Sequence, residues 1–234
     1  MAGVSVLKED ILSLYLNIAD NLGHELSDTK LRDALLVSLL GARDTTRSAL
    51  AWAFYEFTRH AEVVQSVIAE VEEICGFEQN TDFSLDTLNK LEYTHAVAME
   101  VLHLHPPIPM EVRIAVVNDT LPDGTFIPAM SSVFYSPFAM GRSKKIWGDD
   151  AEEFKPERFY KKPEPSAFKF LAFNAGPRMC LGKSLALMNI KMAFAFLLPK
   201  FKFRDAAGLS DDYIFSTSLA MKDGFPVQVS KKIK

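Results

Sequence analysis

The chain has 234 residues, 48% of them hydrophobic and 24% charged, a length and composition that suit a globular protein with a sizeable core. Its formal charge of −4 is too small to argue for nucleic acid as a partner, and its two cysteines, far apart in sequence, make no disulfide framework and favour a reducing compartment. No apolar run reaches the ~18 residues of a membrane span, and the opening MAGVSVLKEDILSLYL lacks the basic start and cleavage site of a signal peptide.

From Ser27 to about His60 the chain is compatible with one helix and contains no proline. At 1.5 Å per residue it would be about 50 Å long. Its apolar residues fall on more than one face, so the helix is expected to cross the interior. In its middle stand Asp44, Thr45 and Thr46. Burying such groups unpaired costs a few kcal/mol, so they either back-bond to helix carbonyls or serve a function. Residues 61–75 predict a second, amphipathic helix with Val64, Val67, Ile68 and Val71 on one face, and Cys75 at its end reads as a small packed residue.

A turn-rich segment, GFEQNTDFS, follows. The next helix runs from about Lys90 to Leu104 and stops before Pro106-Pro107, because proline excludes the helical conformation ahead of it. Glu100 and His103, three apart, share a face of that helix. Over 112–135 the runs VRIAVV, TFIP and SVFYS are β-type, with PDG as a turn between them. The block 136–172 is mostly irregular, with a short helix near 137–143 and a surface connection in KKPEPSAF (161–168). Lys183 to Leu198 predicts a further helix ended by Pro199, and the tail from Phe201 predicts a few small strands. The pattern is mainly α with a small β element, as one domain over 1–234.

The stretch FNAGPRMCLGKSLA (173–186) places the second cysteine in a built turn. Gly176 and Gly182 permit backbone shapes other residues resist and let the chain approach a flat ligand closely. Cys180 precedes a helix that begins near Lys183, where amide N–H groups and the helix dipole favour a thiolate. Such a thiolate is either a nucleophile or a metal ligand. A nucleophile would need a partner base, and no histidine lies near this loop; a zinc site would need companion ligands at ligand spacing. One thiolate can be the only protein ligand when the metal arrives in a porphyrin.

Phe173, Gly176, Arg178, Cys180 and Gly182 match the pattern Phe-x-x-Gly-x-Arg-x-Cys-x-Gly, and the loop resembles the haem-binding loop of the cytochrome P450 family. GARDTTRSALAW (41–52) resembles the family's long oxygen-activating helix, and PERF (156–159) the motif before its cysteine loop, so the likeness covers nearly the whole chain. The connecting text, LPDGTFIPA and FYSPFAMGRSKKIWGDDAEEFKPERF, is similar to the branch that hydroxylates fatty acids at or near the terminal carbon.

The resemblance implies the C-terminal half of the cytochrome P450 fold, with Cys180 as the ligand to the iron of haem b. It implies that Phe173 shields the sulfur and that Arg178 pairs with a haem propionate. Arg113, on the strand after Pro-Pro, either joins Arg178 in that role or is an ordinary strand arginine. Thr45 would hold dioxygen and Asp44 would relay protons to it, with Thr46 beside them.

The sequence departs from the family in three places. The family's Glu-x-x-Arg reads Glu100 and His103 here; there the carboxylate, that arginine and the PERF arginine, here Arg158, form a buried ionic cluster. Histidine lacks the planar fork of arginine, so the cluster is expected to be weakened. Gly41-Ala42 stands where the usual order is Ala-Gly, which brings a methyl group near the dioxygen groove. The family's N-terminal half, with its membrane anchor and pocket-covering helices, has no counterpart in these residues, so one side of the haem is expected to be uncovered.

By the resemblance the activity would be a monooxygenase that inserts one atom of O2 into a C–H bond of a lipid-like substrate, a fatty acid. Electrons would come from NADPH through a flavoprotein reductase docked on the proximal face. A full-length form would be anchored in the endoplasmic reticulum membrane on its cytosolic side. The rival expectation is a truncated, inactive remnant that folds in part and binds haem weakly or not at all. A hydroperoxide isomerase is disfavoured by the Asp44–Thr45 pair.

Overall fold

The computed structural model describes residues 10–22, 27–76, 81–206, 208, 212–215 and 218–232. Residues 1–9 of the opening segment and 77–80 of GFEQNTDFS lie outside them. The chain falls into two compact units, Met1–Asp44 and Thr45–Lys234. The first holds α1 (Ile11–Leu22) and the opening turns of α2 (Asp28–Arg59). No described helix is long and apolar enough to cross a membrane.

Helix α2 runs over nearly the predicted span, but the expectation that all of it crosses the interior is corrected. Leu36, Val37, Leu39 and Leu40 are exposed, and the buried residues are confined to Ser48–Phe57. The difference follows from what covers it: Ser48 Oγ and Trp52 Nε1 both donate to the carbonyl of Leu219, at 2.6 and 3.0 Å, and that contact reaches only the last turns.

In the second unit α3 (Ala61–Cys75) is followed by α4 (Leu85–Asn89), a short helix that the sequence analysis does not predict. Ser84 caps it, its Oγ accepting from the Thr87 N–H at 3.3 Å, while Asp82 accepts from the Ser84 N–H at 2.8 Å. Helix α5 (Glu92–Leu104) is the centre of the unit; from Ala96 to Leu104 every residue is buried, as a helix apolar on most faces must be. Val67 and Val71 of α3, Val97 and Met99 of α5 and Phe194 of α8 (Lys183–Leu197) are nearly or fully buried in one core. Each such side chain contributes roughly 1.5–3 kcal/mol.

Among the described residues the strands form four small antiparallel pairs. They are β1 (Glu111–Ile114) with β4 (Ser132–Tyr135), and β2 (Asp119–Thr120) with β3 (Phe126–Ile127). Later in the chain β5 (Phe201–Asp205) pairs with β8 (Val227–Lys231), and β6 (Tyr213–Phe215) with β7 (Leu219–Met221). In the first pair Glu111 faces Tyr135 and Arg113 faces Val133. Between β4 and the cysteine loop lie α6 (Pro137–Gly141) and α7 (Lys144–Trp147). Gly141 is required where α6 meets α5: a Cβ there would lie well inside contact distance of the His103 carbonyl oxygen.

The two ends of α5 are fixed from outside the helix. Its N-cap residue, Leu91, offers no side-chain cap; instead Glu70 of α3 accepts from the N–H groups of Tyr93 and Thr94 and from Thr94 Oγ1, each at 2.7 Å. At the other end His105 stacks on Trp52, ring centroids 4.3 Å apart, and bonds Glu56 Oε1 through Nε2 at 2.7 Å. Burial pushes the His105 imidazole down from its ordinary range, against the opposing pull of Glu56.

Candidate functional site

The cysteine loop is two short 3-10 turns, Leu171–Phe173 and Gly176–Arg178, that lead into α8. Asn174 sits between them at φ 63° and ψ −176°, a region nearly reserved for glycine that costs on the order of 1–3 kcal/mol for another residue. Its side chain holds it there: Oδ1 accepts from the N–H of Ala175 at 2.9 Å and from the Tyr135 hydroxyl at 3.0 Å. Gly176 follows at φ 70°, where a side chain would be strained although nothing lies within 4 Å to block it. The loop closes with the Cys180 N–H donating to the Phe173 carbonyl at 2.8 Å.

This architecture presents Cys180 as a free, exposed thiol at the start of α8. A Cβ added at Gly182 would stand 4.0 Å from the sulfur, ordinary contact, so clearance of Sγ is not what asks for glycine there. Beneath the loop Phe173 is buried with Phe170 6.4 Å away, ring to ring, and the Lys183 ammonium lies 5.8 Å from the Phe173 ring. Lys183 is paired with Glu164. Arg178 is exposed on the loop. Arg113 lies over the Tyr135 ring, 5.5 Å from its centroid, and donates to Glu111 Oε2 at 3.0 Å and to the Val112 carbonyl at 2.8 Å. The Tyr135–Asn174 bond therefore joins the strand pair that carries Arg113 to the loop that carries Cys180.

A second group assembles in the interior. Glu100 is fully buried, with His103 Nδ1 3.3 Å from Oε2 and Arg158 Nε 3.4 Å from the carboxylate. The Lys155 N–H donates to Glu100 Oε1 at 2.9 Å. Arg158 also donates to Asp150, to Oδ1 at 3.0 Å and to the backbone carbonyl at 2.6 Å, and to the Trp147 carbonyl at 3.3 Å, while Lys155 Nζ donates to Asp150 Oδ2 at 2.8 Å. Hydrogen bonds from Lys155, then Arg158, pull the Asp150 carboxyl down to about 2. Sequence reasoning missed Asp150 and Trp147 here, and Asn174 and Tyr135 at the loop. The only signal for Asp150 was its place in GDDAEEFKPER, close to the arginine it binds.

Asp44, Thr45 and Thr46 follow one another on α2, half-buried, where the helix passes from its exposed to its buried part. Among the described residues no group of three His, Cys, Asp or Glu side chains surrounds a point where a metal ion could sit. An exposed sulfur on open backbone would suit a metal that brings its other ligands with it, and this donor set fits a haem iron.

The family model for cytochrome P450 matches residues 7–225. The chain belongs to the cytochrome P450 family. Among P450 relatives, a cytochrome P450 of Paris polyphylla, CYP94D109, is 37% identical over 233 residues, covering 95% of this chain and 45% of the relative. The cytochrome P450 704C1 of Pinus taeda is 38% identical over 248 residues, covering 97% and 47%. The alkane hydroxylase MAH1 of Arabidopsis thaliana is 37% identical over 234 residues, covering 96% and 45%. The chain thus spans about half the length of the curated P450 relatives it matches. The mainly helical structure with small antiparallel sheets is that of a partial P450 fold.

Proposed function

We propose that this chain serves a haem-thiolate monooxygenase that inserts one oxygen atom of O2 into a C–H bond of a lipid-like substrate, a fatty acid. The observation that carries the proposal is Cys180, a free exposed thiol at the head of α8 in a loop whose backbone is strained and tied into place. Similarity to an alkane hydroxylase supports an unactivated hydrocarbon chain as substrate. Haem b, when bound, supplies an iron that a thiolate ligand biases toward O–O cleavage.

Cys180 is the sole protein ligand in this proposal. Phe173, packed under the loop, would shield the sulfur from the protein side, and the loop's own N–H groups would set how strongly it donates. Arg178 binds a propionate, and Arg113 joins it by sharing its guanidinium with Glu111. On α2 the Thr45 hydroxyl holds a proton for dioxygen, and the Asp44 carboxylate passes protons to it, with Thr46 alongside. Residues 1–234 supply part of a single P450 domain. Electrons come from NADPH through a flavoprotein reductase that docks on the face bearing the cysteine loop. In a full-length form the site of action would be the cytosolic side of the endoplasmic reticulum membrane.

The test is the ferrous–CO absorption spectrum of haem-loaded protein. Wild type and Cys75→Ser are expected to show the thiolate Soret band, and Cys180→Ser is expected to lose it. Loss of the band in Cys75→Ser with retention in Cys180→Ser would overturn the assignment.

A further inference from the structure

Four buried polar atoms near the C-terminal end of α5 make no hydrogen bond among the described residues: Glu100 Oε2, both ring nitrogens of His103, and Trp147 Nε1. They belong to three side chains linked through His103. His103 Nδ1 is 3.3 Å from Glu100 Oε2, and the rings of His103 and Trp147 lie with centroids 4.3 Å apart. A buried polar atom without a hydrogen bond is costly, and a cluster of such atoms calls for a partner.

Their chemistry sorts them. An indole N–H can only donate and a carboxylate oxygen can only accept, whereas a neutral imidazole has one donor and one acceptor. With the ring proton on Nδ1, His103 donates to Glu100 Oε2 and keeps Nε2 as an acceptor. The opposite tautomer would aim a lone pair at a carboxylate oxygen. The first arrangement leaves one donor, Trp147 Nε1, and one acceptor, His103 Nε2. These two make no hydrogen bond to each other, the rings lying tilted at 56° to one another. A water between them would satisfy both, accepting from the indole and donating to Nε2. Trp147 also lines a cleft of about 530 Å³ with Asp150, Arg158 and Phe159.

We propose that Glu100, His103 and Trp147 form a hydrogen-bonded relay through the Nδ1–H tautomer of His103, closed by one buried water between His103 and Trp147. Trp147 is thereby the positioning residue for His103 and, through it, for the carboxylate that holds Arg158. The relay stands whether or not Cys180 ligates iron.

The experiment uses the full chain. Ring-nitrogen NMR at neutral pH is expected to show His103 protonated at Nδ1 and bare at Nε2. Trp147→Phe keeps an aromatic ring but removes the N–H; it is expected to lower the melting temperature and shift the His103 Nε2 resonance. An Nε2–H tautomer or an imidazolium in the wild-type chain would overturn the relay. So would a Trp147→Phe variant that melts higher with the His103 resonances unmoved, the result expected when an unpaired buried donor is deleted. If Trp147→Phe does not fold, the wild-type tautomer decides the matter alone.

Discussion

Replacing Glu70 tests how α5, the helix that carries Glu100 and His103, is held at its start. The carboxylate receives three hydrogen bonds, from Tyr93 N–H, Thr94 N–H and Thr94 Oγ1, each at 2.7 Å, and Thr94 is fully buried. Hydrogen bonds to a charged group contribute roughly 1.5–3 kcal/mol each when taken singly, and an anion at a helix N-terminus about 0.3–1 kcal/mol more. These contributions overlap, and part of the group is wet, so Glu70→Ala is expected to cost about 2–4 kcal/mol. For a domain of this size that lowers Tm by on the order of 10 °C. Glu70→Gln keeps one acceptor but loses the charge and turns an amide NH2 toward a backbone donor, so it is expected to fall about midway. Urea denaturation followed by far-UV circular dichroism reads both, as a lower midpoint at unchanged slope. A loss below about 0.5 kcal/mol in Glu70→Ala would refute the view that α5 is capped from α3.

Gly141→Ala pushes a methyl group into the His103 carbonyl, part of a helix backbone that cannot swing aside, and is expected to cost about 1–3 kcal/mol by thermal melting; an unchanged Tm would mean that α5 and α6 do not touch there. Acid stability tests the second group. The folded Asp150 carboxyl, at about 2, lies below its ordinary value of 3.8, so its stabilisation is complete above about pH 4 and is lost as pH falls toward 2. Asp150→Asn is expected to flatten that stretch of the stability–pH curve, and a curve of unchanged shape would show that Lys155 and Arg158 do not depend on it.

Much of the framework was legible in the residues because its signals are local. The proline-free run from Ser27, the periodic valines of 61–75 and the Pro106-Pro107 stop each act within a turn or two, and α2, α3 and α5 begin and end close to where those signals lie. The loop before α8 was legible for the same reason, since five of its positions are fixed within ten residues. What escaped depends on tertiary approach. Glu70 caps a helix that starts 22 positions later, and nothing in AEVVQSVIAEVEEIC distinguishes it from Glu72 or Glu73. Asp150 lies beside an equally acidic neighbour, and only the fold selects which one meets Arg158. The strain at Asn174 was hidden because asparagine beside a conspicuous glycine reads as ordinary turn chemistry. The exposed first half of α2 was misjudged because apolar residues on several faces reveal a need for cover and not where the cover comes from.

Both tryptophans of the chain rest on histidines of the short run His103-Leu104-His105, Trp147 on the first and Trp52 on the second. Indole emission is therefore a probe of a single place, the C-terminal end of α5, whereas circular dichroism averages over every helix. If the two signals fade together during denaturation, Thr45–Lys234 unfolds as one cooperative body. If the emission changes first, the joint between α5 and the strands after it opens as a separate event, ahead of the helices it connects.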